Sequence, residues 1–153
     1  MMSFTQTEDS PREGNSHGGP EHEIHVIRMN SHSSLAQRHG VEIAVNTDLA
    51  GGSDALNPAE LLLAAMAGCM IKTIERTAPI LNIAFTSAEI SLTAKRRAHP
   101  PGFEEIRYEI RLGTLSNDHQ LDLLNSNVRT YGLVTSLIAS ALTLTGRIHR
   151  LPN

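Results

Sequence analysis

Apolar residues recur with two different periods along this chain, and the periods mark out its elements. Val41-Glu42-Ile43-Ala44-Val45 alternates as a half-buried strand does. Ile24 and Val26 alternate less cleanly with His25 and Ile27, an imperfect first strand, and Ser33 to Gly40 reads as a turn or a further short strand around Leu35. The stretch from Pro58 to about Thr77 is apolar on nearly every side, the pattern of a centrally buried helix. Its start is marked by Asn57 as N-cap, Pro58 at the first helical position and Glu60 completing a capping box. Pro79 follows its end. Beyond it, Ala88, Ile90, Leu92 and Ala94 alternate with polar residues, as do Ile106, Tyr108, Ile110 and Leu112 after a turn at Pro100-Pro101-Gly102. That is a hairpin apolar on one face.

Leu121, Leu124 and Val128 share helical spacing over 117–128, Leu133 to Ala141 reads as a short helix, and Leu142 to Arg150 as a final strand. The order argues an α+β fold, with helices stacked on a mostly antiparallel sheet. Residues 1–22 lack large apolar side chains for the most part and read as a disordered tail, leaving 23–153 as one domain. Gly68 in mid-helix predicts a close approach by something packed there.

Composition narrows the function classes. A net charge of −3 advertises no surface for nucleic acid or anionic membrane, and 3% aromatics leave little for base stacking. The longest apolar run, Leu61 to Ile71, is too short to span a bilayer, and residues 1–20 lack a signal-peptide layout. With a single cysteine, these features point to a reduced, cytoplasmic setting. His22 and His25 fall short of the roughly four converging ligands a zinc site needs, so no metal or cofactor is expected. Gly51-Gly52 reads as a turn with no phosphate fingerprint after it, and no hydrolase elbow or P-loop is present.

The lone cysteine, Cys69, lies inside the apolar helix. In that setting it is either a small core residue or, as a thiolate beside a cation, a nucleophile. Lys72, one turn on, shares its helix face. Glu60 lies on nearly the opposite side of the helix from Cys69, at about 100° per residue, and its capping role accounts for it.

The run Asn-Pro-x-Glu-Leu-Leu-Leu-Ala-Ala-x-Ala-Gly-Cys, Asn57 to Cys69, resembles the signature of the OsmC/Ohr family. The preceding Gly-Gly, the following hairpin and Tyr131-Gly132-Leu133-Val134-Thr135, similar to a Tyr-Cys-Pro-Val-Ser-like stretch, extend the resemblance over roughly 24 to 150. It implies an intertwined homodimer with a long buried central helix and active sites at the subunit interface. Active members are cysteine peroxidases that reduce organic hydroperoxides: one thiolate becomes a sulfenic acid, a second cysteine condenses with it, and an external dithiol reduces the disulfide. An Arg favours the thiolate and a Glu holds that Arg.

By resemblance the nucleophile is Cys69, the Arg is Arg38 (through Gln37-Arg38-His39-Gly40) with Arg28 as the alternative, and the Glu is Glu60. Two departures stand out. The second cysteine's place is taken by Gly132, and the residue directly after Pro58 is Ala59, with Glu60 one position later. The expected function is therefore a one-cysteine peroxidase acting on small apolar hydroperoxides with an external thiol reductant. The alternative is a non-catalytic relative that binds a small apolar ligand or senses redox state.

Overall fold

A computed structural model describes residues 21–151. Most of the tail expected over residues 1–22 lies outside those residues. Three short strands come first: β1 (His25–Arg28), β2 (Ser33–Arg38) and β3 (Val41–Asn46). They form an antiparallel sheet in that order. Of the two readings of 33–40, the strand prevails. Its hairpin to β3 turns on His39 and Gly40, both at positive φ, 51° and 80°. Two consecutive left-handed residues are the geometry of a type I′ turn, whose twist matches the flanking strands.

Helix α1 (Pro58–Thr77) follows, with the capping box complete: the Asn57 side chain accepts from the Glu60 N–H, and the Glu60 carboxylate accepts from the Asn57 N–H. Such a cap is typically worth about 1 kcal/mol. Strands β4 (Phe85–Arg97) and β5 (Gly102–Thr114) form the long antiparallel hairpin. Helices α2 (Asp118–Tyr131) and α3 (Leu133–Ala141) lead to β6 (Thr143–Arg150). The last strand pairs with β5 in parallel, giving a second sheet of order β4-β5-β6. A helical crossover returns the chain in the same direction as the strand it left, which the alternation pattern alone does not reveal.

The core lies between this second sheet and the helices. Met66, Met70 and Ile74 of α1 and Leu121, Leu124 and Val128 of α2 meet Ile106, Ile110, Leu112, Leu144 and Ile148. Tyr108 joins them, donating its hydroxyl to Asn125 Oδ1 at 2.7 Å, while Asn125 Nδ2 donates to the Gly146 carbonyl at 3.1 Å. Burial pushes the Tyr108 phenol's pKa up. The opposite face of the sheet is polar, with ion pairs such as Lys95–Glu104 at 2.7 Å.

Two sequence expectations for α1 change in the single chain. The helix is not enclosed: Met66, Met70, Thr73, Ile74 and Thr77 make one buried stripe, while Leu62 and Ile71 are exposed. Gly68 has no described neighbour crowding it, since an added Cβ would meet nothing within 4 Å. The first sheet is likewise open. Among the described residues, none from β1–β3 belongs to the core cluster, and Val26, Val41 and Ile43 are exposed.

Candidate functional site

Helical spacing carries Cys69 to the flank of the buried stripe rather than to its centre. Met66 and Met70 are wholly buried, and Cys69 beside them is only partly so. Its backbone carbonyl accepts the Thr73 hydroxyl at 2.9 Å. The thiol faces an open cavity of about 580 Å³ lined by Ala65, Gly68, Lys72, Arg76, Leu133 and Val134, with His22 at its edge. Lys72 stands one turn beyond Cys69 and Arg76 two turns beyond, so both point along the same side of α1. Arg76 donates to the Tyr131 carbonyl at 2.8 Å, tying α1 to the end of α2. Among the described residues neither cation has a carboxylate partner.

The other wall is the start of α3. Gly132 is its N-cap and has no side chain to offer, leaving the first N–H groups of the helix without the usual side-chain acceptor. The sulfur takes that place: the Val134 N–H points at Cys69 Sγ, 3.3 Å away. A helix N-terminus and an aimed N–H both suit a sulfur carrying negative charge. Gly132 is buried directly against the thiol, and a Cβ built on it would lie 3.2 Å from Sγ. Next to the same point is Thr135 Oγ1, 2.9 Å from that Cβ position. Thr135 is fully buried and its hydroxyl has no hydrogen-bond partner.

The thiol thus shares one cavity with two cations and lies beside a helix start and a buried hydroxyl. Residues 51–146 of the chain match the family model described as OsmC-like protein. The chain belongs to the OsmC-like family. The described architecture also superposes on solved OsmC-like structures. An OsmC-like protein from Mycoplasma pneumoniae has a TM-score of 0.80 and 16% identity, over 87% of this chain and 99% of its own. An organic hydroperoxide resistance protein from Legionella pneumophila gives 0.64 and 14%, over 85% and 98%. OhrB, the organic hydroperoxide resistance protein of Bacillus subtilis, gives 0.60 and 16%, over 84% and 98%. At these identities the likeness speaks for the OsmC fold alone. No curated protein matches the sequence closely enough to count as a relative.

The residues expected from the sequence are placed unevenly within this OsmC fold. Cys69 and Lys72 come together in one cavity, and Gly132 sits where the resemblance puts a second sulfur, against the first. Glu60 stays in its capping box and does not line the thiol cavity. Arg38 ends β2 beside the hairpin turn and lines a different, open cleft with Glu21, Glu23, His25 and Glu42. A single chain therefore does not bring Arg38 to its own Cys69 cavity. Arg28 ends β1, on the same first sheet, and it too is absent from the lining of the thiol cavity. Arg76 and the Val134 N–H are functional candidates that the sequence reading passed over, and Thr135 is one that it read only as a helix cap and as part of the Tyr131–Thr135 stretch. Arg76 carries a signal, seven positions after Cys69 and so on its face, whereas the other two depend on how α3 docks. No helix of the described residues is long and apolar enough to cross a membrane.

Proposed function

We propose that this OsmC-like protein is a one-cysteine, thiol-dependent peroxidase that reduces organic hydroperoxides. The observation that carries the reading is the Cys69 thiol opening into a cavity with Lys72 and Arg76 while the Val134 N–H points at its sulfur. The Cys69 thiolate attacks one peroxide oxygen, the S–O bond forms, the O–O bond breaks, and the leaving alkoxide takes a proton to become the alcohol. Sulfur is oxidised to the sulfenic acid and the peroxide is reduced. Gly132 offers no second thiol, so an external thiol condenses with the sulfenic acid, releasing water and leaving a mixed disulfide. A second molecule of that thiol attacks the mixed disulfide and restores the Cys69 thiol.

Brief exposure of the reduced protein to one equivalent of organic hydroperoxide, with a sulfenic-acid trap present, tests this. Intact mass should show stoichiometric trapping at Cys69, much faster than on free cysteine at the same pH, and none in Cys69→Ser. A thiol no faster than free cysteine sinks the proposal.

The active assembly in this reading is an intertwined homodimer. The exposed apolar residues of the first sheet, Val26, Val41 and Ile43, and those of α1 and α3, Leu62, Leu133 and Leu137, support it. Arg38 would then approach the partner's Cys69, with Glu60 near the same interface. Light scattering at micromolar concentration should give twice the 16.6 kDa chain mass. A monomer at that concentration rules out the shared site. The largely apolar wall formed by Ala65, Gly68, Leu133 and Val134 also favours a second reading, retention of a small apolar ligand without turnover. Under that reading Cys69→Ser still binds the ligand while the trapping experiment fails.

A further inference from the structure

The site holds two features besides the thiol itself. The hydroperoxide group itself is neutral, and the cavity presents Lys72 and Arg76 with no carboxylate among its described lining residues. Both side chains are exposed and neither forms an ion pair among the described residues, on a chain whose net charge is −3. Lys95, Arg107 and Arg150 sit on acidic partners, while Lys72 and Arg76 share one cavity with none among its described lining residues. Two cations without a carboxylate partner among the described residues, in a concave, partly apolar site, select an anionic visitor.

The second feature is Thr135. Its hydroxyl is the one buried side-chain polar atom among the described residues that lacks a hydrogen-bond partner. It and Cys69 Sγ both lie within 3.2 Å of a single point, the place a Cβ would occupy on Gly132. The unpartnered hydroxyl thus lies beside the sulfur that would carry an adduct.

From these observations we infer that the Cys69 cavity is a binding site for a carboxylate-bearing low-molecular-weight thiol, which forms a mixed disulfide with Cys69 while Lys72 and Arg76 hold its carboxylate. As the resolving step of turnover, this assignment rests on the peroxidase reading. The new S–S bond forms as the sulfenic S–O bond breaks, and the departing oxygen leaves as water with the incoming thiol's proton. The same adduct also forms by plain exchange, when the Cys69 thiolate attacks the disulfide of such a thiol and expels one thiolate. Exchange needs no peroxide, so it probes the site independently.

The experiment compares three small disulfides on the intact reduced protein: dithiodiglycolate (a dianion), bis(2-hydroxyethyl) disulfide (neutral) and cystamine (a dication). Because Cys69 is the only cysteine, intact mass reports its adduct without ambiguity. Each rate is divided by that of a short neutral cysteine peptide. Dithiodiglycolate should be favoured over the neutral disulfide by about tenfold at low salt, as expected for two cations near a carboxylate in water. The preference should shrink at about 1 M salt and collapse in Lys72→Gln/Arg76→Gln. Lys72→Gln alone, which leaves the Arg76–Tyr131 bond intact, should remove part of it.

Equal rates, a preference for cystamine, or a preference that survives the double substitution would overturn the inference. Fast peroxide trapping without anion preference removes this assignment and leaves the peroxidase. Anion preference with a peroxide-inert thiol removes the peroxidase and leaves the site.

Discussion

Replacing Gly132 by cysteine should convert Cys69 from a solitary thiol into half of an intramolecular disulfide. In a disulfide, the Cβ of one residue lies about 3 Å from the sulfur of the other, given an S–S bond of about 2.0 Å. A Cβ on residue 132 would lie 3.2 Å from Cys69 Sγ. The backbone there, φ −81° and ψ 124°, is one any L residue adopts, so no strain comes from leaving glycine. Besides the sulfur, the nearest crowding is against the Thr135 side chain, at 2.9 Å and 3.1 Å. Overpacking of that kind costs about 1–3 kcal/mol in the reduced protein.

Oxidation more than offsets it. Closing the loop between 69 and 132 should stabilise the folded state by about 4 kcal/mol relative to the reduced variant. For a chain of this size the oxidised variant should melt roughly 10 °C above its reduced form. Treatment with hydroperoxide or diamide followed by peptide mapping should find Cys69 linked to the introduced cysteine at position 132 in nearly every molecule, against none in the parent. Two persistent free thiols after oxidation would show that the α2–α3 junction does not hold residue 132 against α1.

Gly146→Ala should be among the most destabilising single substitutions available in this chain. A Cβ there would run into the Tyr108 carbonyl oxygen and ring on the neighbouring strand, well inside contact distance. One of those obstacles is backbone, within the β5–β6 ladder where Tyr108 and Gly146 are direct partners. The ring cannot withdraw either, because its hydroxyl is tied to Asn125, which in turn binds the Gly146 carbonyl. Relief therefore requires prising β6 from β5, and the expected loss is about 3 kcal/mol or more. Denaturant unfolding should show it as a lower midpoint with an unchanged slope. A loss below about 1 kcal/mol would mean that the Tyr108–Asn125–Gly146 arrangement is looser than described.

The elements themselves were readable because their causes are local. Asn57, Pro58 and Glu60 announce the start of α1, and the caps of a helix depend on residues within one turn of it. The hairpin of β4 and β5 follows from period-two alternation around a Pro-Pro-Gly turn. The strand at 33–38 stayed ambiguous because its sequence, Ser-Ser-Leu-Ala-Gln-Arg, shows little alternation and is placed by pairing with both neighbours. Reading α1 as enclosed on all sides went further than one chain bears out, since its second apolar face and Gly68 are open. Sequence registers that a face is apolar, not what covers it.

The sequence by itself determined the α+β element order, the apolar helix with its single thiol, and the family. All of these reside in patterns that one stretch of chain carries on its own. Tertiary structure decided the rest. It set β6 parallel to β5 and brought the Val134 N–H, Thr135 and Gly132 to the sulfur from a segment more than sixty positions away. It also left Arg38 on a separate sheet, lining another cleft. A reactive site is made of directions and distances between elements. Those arise only when α1 and α3 dock on a shared core, a long-range packing outcome that no local period encodes.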